Sequence, residues 1–300
     1  MAQEQVEIQL TVKDWNVSTK PTWCPGCGDY GVLKATKEGL GGHGKFAPKD
    51  TVVVSGIGCS SNFPHFLNGY GIHTLHGRAN PVAEGIKLAN PDLNVVITGG
   101  DGDGLAIGLG GFIHAARRNI NMTYIIMDNQ VYGLTVNQAS PTSGLGRKTR
   151  STPYGNIEMP LNPIAMALNA GATFVARTFS SDWKHFNKVV QAALEHNGFA
   201  FIDALSPCVT FNKENTAKYW RERVYKLEED ETYDKSDFSQ AIVKVHEFDD
   251  KVPIGIFYQK EGEPTFEEGD PTIKKFGSVV KRGPRKLSSE DRKHILSHFR

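Results

Sequence analysis

Short apolar runs recur along the first two thirds of the chain, separated by stretches of about one helix. Residues 51–54, 95–98, 124–127, 173–176 and 200–204 are continuous and rich in β-branched side chains, which predicts strands buried on both faces. Between them the apolar positions fall at helical spacing over 81–89, 105–118, 163–170 and 182–196, with a further helix over 29–40 before the first strand. Asp29 and Asp182 stand where N-caps are expected. Alternating strands and helices predict an α/β fold, a mostly parallel sheet with helices on both faces.

Open parallel sheets bind ligands outside the carboxyl ends of their strands. Four unusual segments follow predicted strands: Ser55-Gly56-Ile57-Gly58-Cys59-Ser60, Gly99-Gly100-Asp101-Gly102-Asp103, Asp128-Asn129-Gln130-Val131-Tyr132-Gly133 and Ser206-Pro207-Cys208. Parallel strands would bring all four to one edge. After Cys208 the pattern changes. Residues 228–237 are highly charged and 252–284 are rich in Pro and Gly, with one candidate strand at 254–258. This divides the chain into a cofactor-binding unit, 1–210, and a C-terminal extension, 211–300. The extension reads equally well as a peripheral tail or as a grip on a partner chain.

Composition narrows the chemistry. With 300 residues, 39% hydrophobic, 22% charged and a formal net charge of +1, the chain shows no strong field for nucleic acid or an anionic membrane. No apolar run approaches the roughly 18 residues of a membrane span. The start, Met1-Ala2-Gln3-Glu4-Gln5, lacks the basic and apolar regions of a secretory signal, so a cytoplasmic location is expected. There thiols stay reduced, and the four cysteines point to metal binding or catalysis rather than disulfides.

Magnesium takes hard oxygen ligands in octahedral geometry and shares them with phosphates. Asp101 supplies a carboxylate, Asn129 an amide oxygen 28 positions later, and the Val131 carbonyl a third ligand. A helix starting near Leu105 would aim free N–H groups at a phosphate. Competing motifs fail. An EF-hand loop beginning at Asp101 would need ligands at Leu105 and Phe112. The glycines of 39–45 approximate a P-loop and a dinucleotide fingerprint, but they follow a helix and precede a strand, and Phe46 replaces the required Ser or Thr. They read as a glycine-rich connection.

Cys24-Pro25-Gly26-Cys27 places two thiols on one turn, with Cys59 and Cys208 far along the chain. By spacing alone such a set suits zinc or an iron–sulfur cluster.

Taken together, Trp23-Cys24-Pro25-Gly26-Cys27-Gly28, Gly56-Ile57-Gly58-Cys59-Ser60-Ser61, Leu75-His76-Gly77-Arg78-Ala79, Gly100-Asp101-Gly102, Asp128-Asn129-Gln130-Val131-Tyr132-Gly133 and Gln138-Ala139-Ser140-Pro141-Thr142 resemble the β subunit of 2-oxoacid:ferredoxin oxidoreductases. The resemblance covers roughly 15–210 and implies a thiamine diphosphate-binding fold. It implies that Asp101, Asn129 and Val131 bind magnesium, and that Cys24, Cys27, Cys59 and Cys208 hold a 4Fe-4S cluster. It further implies that Ile57, Gly58, Cys59, Ser60, His76, Gly77, Gly102, Asp103, Gly133 and Leu134 contact the cofactor. The implied reaction is oxidative decarboxylation of a 2-oxoacid, with coenzyme A collecting the acyl group and ferredoxin the electrons.

Thiamine chemistry needs an activating Glu. Glu84, on the helix predicted over 81–89, is the only nearby candidate and reads rather as a solvent-facing helix residue; the resemblance implies that a separate α subunit supplies the group, and hence an obligate αβ enzyme. For the substrate, Arg78 and the histidines suit the second carboxylate of 2-oxoglutarate, and 132–146 looks closest to 2-oxoglutarate enzymes. Some relatives carry Lys near Asn62 and Val136, absent here. Pyruvate and branched-chain 2-oxoacids are the alternatives. His65 and His73 read as structural or substrate-positioning. Two rivals place zinc at the cysteines: a non-catalytic phosphate-binding protein and a non-oxidative thiamine decarboxylase.

Overall fold

The computed structural model of the chain describes residues 10–42, 44–284 and 286–299. The Met1–Gln5 start and His43 of the glycine-rich segment lie outside these residues. The described residues build one eight-stranded sheet from β1 (Thr51–Ser55), β2 (Tyr70–His73), β3 (Asn94–Gly100), β4 (Met122–Asp128), β5 (Phe174–Phe179), β6 (Phe199–Leu205), β7 (Val224–Lys226) and β8 (Val252–Gln259). The order is β2-β1-β3-β4-β6-β5-β8-β7. Six consecutive strands are parallel, and β8 runs antiparallel to β5.

Side-chain alternation explains why these runs are strands buried on both faces. Val52 and Val54 join one core with Val95, Ile97, Tyr124 and Ile126, while Val53 joins the other with Val96, Ile125 and Met127. The first core is covered by α2 (Ala79–Ala89), α3 (Leu109–Arg118) and α4 (Pro163–Asn169). The second is covered by α1 (Asp29–Gly42) and α5 (Trp183–Glu195). The expected helices are all present, and Asp182 caps α5 through His185 N at 3.2 Å.

Several local readings change. Asp29 does not cap α1; it is the first helical residue and its carboxylate turns to Ser206. Residues 39–42 are helical rather than a connection. Gly39 packs where a Cβ would meet Val190, and Gly41 where one would meet the Val12 backbone, so their small size lets neighbours close on α1. The helix expected from Leu105 begins earlier: Asp101 and Gly102 are already helical, and 103–107 form a π-helical turn before α3. The edge strand β2 was not expected from its sequence; its four residues are all exposed, leaving no buried periodicity to read. Part of the C-terminal extension is also not peripheral. β8 buries Val252, Ile254 and Phe257 and extends the sheet beside β5.

Candidate functional site

Parallel register sets β1, β3, β4 and β6 side by side, with Ser55 opposite Thr98, Gly100 opposite Met127 and Asp128 opposite Leu205. The four segments that follow these strands therefore emerge along one edge, and they line two adjoining cavities.

All four cysteines line the first cavity, of about 180 Å³, together with Trp23, Asp29, Asn62, Asn129, Gly133, Leu134 and Phe211. The Cys24–Cys27 turn closes with a hydrogen bond from Cys27 N to the Cys24 carbonyl at 3.0 Å. Gly28 lets the turn settle on the end of β6: a side chain there would overlap Ser206, and Gly28 N donates to the Pro207 carbonyl at 3.1 Å. This contact brings the turn to Cys208. Trp23 Nε1 donates to the Cys59 carbonyl at 2.6 Å, bringing it to the loop after β1. Thr210 Oγ1 and Phe211 N donate to the sulfurs of Cys24 and Cys208 at 3.2 and 3.4 Å.

Burial, reinforced by Asp29, pushes the Cys27 thiol far up and the Cys59 thiol to about 11. Bare thiolates at Cys27 and Cys59 are thus disfavoured, and a positively charged metal centre would reverse that preference. Among the described residues no three His, Cys, Asp or Glu side chains converge tightly enough to hold a single ion.

The second cavity is a narrow cleft of about 60 Å³. It is lined by Ile57 to Ser60, His76, Gly100 to Asp103, Asn129 and Val131 to Thr135. Of the ten expected cofactor contacts only Gly77 is not in the lining; it lies behind and donates its N–H to Asp103 Oδ1 at 2.7 Å. Asp103 Oδ1 also accepts from Ile57 N at 2.9 Å and lies 3.2 Å from His76 Nδ1. Asp103 therefore pins two loops together beneath the cleft. Tyr132 Oη donates to the Gly102 carbonyl at 3.0 Å, holding the loop after β4 against the loop after β3. Cys59, Asn129, Gly133 and Leu134 line both cavities and form their common wall.

The three expected magnesium ligands, Asp101, Asn129 and Val131, line this cleft together. Asp101 is buried, and its carboxyl is pushed up by desolvation, partly offset by hydrogen bonds from Ser140 and Thr142. Asp128, also buried, is pushed well above the carboxylate range by desolvation and by Asp101 and Asp203. Thr142 Oγ1 lies 2.7 Å from Asp101 Oδ2 and 2.8 Å from Asp128 Oδ1. One hydroxyl proton cannot serve two carboxylate oxygens, so the second contact needs a carboxylic proton. Excess buried acid beside an amide and a backbone carbonyl suits a hard divalent cation.

Other candidates fall away from the cavities. Glu84 pairs with Arg118 at 2.6 Å across α2 and α3. His73 Nδ1 lies 3.2 Å from Ser55 Oγ and its ring 5.9 Å from that of His65; neither lines the cleft. Arg78 is exposed, lines neither cavity and reaches the Ile107 carbonyl at 3.4 Å. Sequence reasoning gave no site role to Asp29, whose carboxyl is pushed to about 6 by burial beside the thiols, nor to Tyr132, Thr142 and Arg147. Tyr132 and Thr142 stand inside two of the motifs and Asp29 follows Cys27 by two residues, so their positions carried a signal; no local pattern marks Arg147.

Comparison with known proteins sharpens the picture. Residues 56–204 match the family described as Thiamine pyrophosphate enzyme, C-terminal TPP binding domain, and 208–275 match the family of the C-terminal region of the pyruvate ferredoxin oxidoreductase beta subunit. The chain is 48% identical over 266 residues to a 2-oxoacid:ferredoxin oxidoreductase subunit beta of Saccharolobus solfataricus, covering 85% of each chain. It is 38% identical to a 2-oxoglutarate synthase subunit KorB of Archaeoglobus fulgidus, covering 80% of this chain and 92% of that one. Among solved structures, it resembles a 2-oxoglutarate:ferredoxin oxidoreductase from Magnetococcus marinus with 2-oxoglutarate, coenzyme A and succinyl-CoA bound. The TM-score is 0.86, with 39% identity and 96% of both chains covered.

Proposed function

The chain belongs to the β subunits of the 2-oxoacid:ferredoxin oxidoreductases, and from that premise we propose that it carries the cofactor half of an αβ enzyme oxidising 2-oxoglutarate to succinyl-CoA and carbon dioxide. The carrying observation is the common wall of Cys59, Asn129, Gly133 and Leu134 between the thiol cavity and the acidic cleft. It gives a bound cofactor and a bound cluster the adjacency that electron transfer needs.

In this reading Asp101, Asn129 and the Val131 carbonyl hold magnesium. Ile57, Gly58, Cys59, Ser60, His76, Gly102, Asp103, Gly133 and Leu134 contact thiamine diphosphate, and Gly77 acts through Asp103. Thiamine diphosphate, when bound, supplies an electron sink for decarboxylation, and an iron–sulfur cluster takes up electrons singly. The chain's own residues orient the diphosphate and keep the two groups side by side.

A cavity of about 180 Å³ lined by Cys24, Cys27, Cys59 and Cys208 favours a 4Fe-4S cluster on these four thiols. A single tetrahedral zinc, with Zn–S of about 2.3 Å, would hold its sulfurs about 3.8 Å apart with no cavity between them. The residues lining the two cavities include no Glu, which favours an activating carboxylate from the α subunit. The preference for 2-oxoglutarate draws on what the Archaeoglobus and Magnetococcus relatives are named for or hold; Arg78 lends it no support. Coenzyme A is the acyl acceptor and ferredoxin the electron acceptor. We take 1–210 as the cofactor-binding unit and 211–300 as an extension that completes the sheet. Among the described residues no helix is long and apolar enough to cross a membrane, and we place the enzyme in the cytoplasm.

The test is anaerobic co-expression with the α subunit, followed by iron, sulfide, zinc and thiamine analysis and by ferredoxin reduction. A brown complex bleached by dithionite is expected, turning over 2-oxoglutarate fastest. Colourless protein with stoichiometric zinc removes the cluster. Equal or faster turnover of pyruvate removes the substrate assignment, and full turnover by the β chain alone removes the need for α.

A further inference from the structure

The turn Ser140-Pro141-Thr142-Ser143 contributes nothing to the lining of either cavity, yet its three hydroxyl residues are buried. Their hydrogen bonds run to the two segments that carry the proposed magnesium ligands. Thr142 Oγ1 reaches Asp101 Oδ2 at 2.7 Å, after β3. Ser143 Oγ donates to the Gln130 carbonyl at 2.7 Å, after β4. The buried Arg147 donates to that same carbonyl through Nη1 at 2.8 Å. Asn156 closes the loop from behind: its Nδ2 donates to the Ser143 carbonyl at 3.0 Å, and its N–H donates to the Arg147 carbonyl at 2.8 Å.

These contacts fall where the ligand loop has most freedom to go wrong. Asp101 has two carboxylate oxygens, and a donor held on Oδ2 directs metal binding to the other. Gln130 has φ +58, a conformation a non-glycine side chain disfavours, so its peptide needs outside restraint. Two donors on one carbonyl fix that peptide plane, one residue before the carbonyl of Val131. Magnesium tolerates little departure from octahedral geometry, so such restraint bears on affinity.

We infer that Thr142, Ser143 and Arg147 form a positioning brace that presets Asp101 and the Asn129-Gln130-Val131 loop for magnesium. The inference rests on the magnesium reading above. Thr142, Ser143 and Arg147 line neither cavity, so the brace acts through the residues that do.

The αβ complex is stripped of cofactor, and thiamine diphosphate binding is followed calorimetrically against magnesium concentration. Thr142→Val is expected to raise the half-saturating magnesium concentration about tenfold or more, the usual scale for an outer partner of a ligand. Thr142→Ser keeps the hydroxyl and is expected to stay within about twofold of wild type. Ser143→Ala removes one of two donors to Gln130 and is expected to raise the requirement about threefold to tenfold. Melting of the stripped complexes separates a local brace from a general loss of structure, since the brace predicts a shift in magnesium requirement beyond any shift in melting. Unchanged requirements in Thr142→Val and Ser143→Ala overturn the brace. If Thr142→Val fails to assemble, Ser143→Ala alone decides. Wild-type binding that needs no divalent metal overturns the magnesium reading itself, an outcome distinct from a wild type that needs the metal and variants that match it.

Discussion

Replacing Gly102 by alanine tests how closely the loops after β3 and β4 are fitted. Gly102 has ordinary helical angles, φ −64 and ψ −34, so alanine meets no backbone strain. The obstacle is the Tyr132 ring. A Cβ at 102 would lie 2.7 Å from both Cδ1 and Cζ of Tyr132, and closer still to Cε1. Carbon contacts prefer about 3.5–4.0 Å, so the ring must retreat by about 1 Å or more. Overpacking of this kind costs about 1–3 kcal/mol. The retreat also strains the 3.0 Å hydrogen bond from Tyr132 Oη to the Gly102 carbonyl, worth about 1 kcal/mol. Against this, alanine is favoured over glycine in a helical turn by up to about 1 kcal/mol. The net expectation is a loss of about 1–3 kcal/mol, read as a lower urea midpoint of the αβ complex at fixed protein concentration, with weaker thiamine diphosphate binding because both residues line the cleft. The double-mutant cycle is decisive. In a Tyr132→Ala background the obstacle is gone, and Gly102→Ala should become neutral or stabilising by up to about 1 kcal/mol. A Gly102→Ala penalty of the same size in both backgrounds would refute the steric argument.

Two further outcomes follow from strain and titration. Val136 is β-branched with φ +71, and Asn accepts that region far better, so Val136→Asn should raise the denaturation midpoint by the equivalent of about 0.5–1 kcal/mol; a lower midpoint would show that the Val136 side chain makes a contact worth more than the strain. His196 is buried with Nε2 2.7 Å from Thr173 Oγ1, and desolvation holds its pKa below the usual histidine value. The folded state then binds fewer protons than the unfolded state, so stability is held above about pH 6.5 and lost as pH falls through the window below it. Denaturant midpoints at several pH values between about 5 and 8 should show a shallower acid decline in His196→Gln than in wild type; parallel declines would assign the loss to other groups.

Local pattern made several features legible. The continuous apolar runs announced β1, β3, β4, β5 and β6, because a strand buried on both faces needs apolar side chains at every position. Two strands were hard to read for the opposite reason: all four residues of β2 are exposed, and β7 is three half-buried residues long. The glycines at 39–42 misled because glycine usually marks a turn, whereas here its small size lets α1 pack closely. The strand-end segments and the step from Asp101 to Asn129 were visible because one strand–helix–strand unit separates them in the chain.

Sequence alone determined that this is an α/β protein with its unusual residues at the carboxyl ends of neighbouring strands, since period and spacing are local properties carried by consecutive residues. The common wall of the two cavities was decided only by tertiary structure. So was the turn of Asp29 away from its own helix to Ser206, a 2.6 Å contact across 177 positions. So too was the convergence of Thr142 on Asp101 and Asp128. Each depends on which distant backbone segments come into register and on how closely glycines let them approach, and no local periodicity records that.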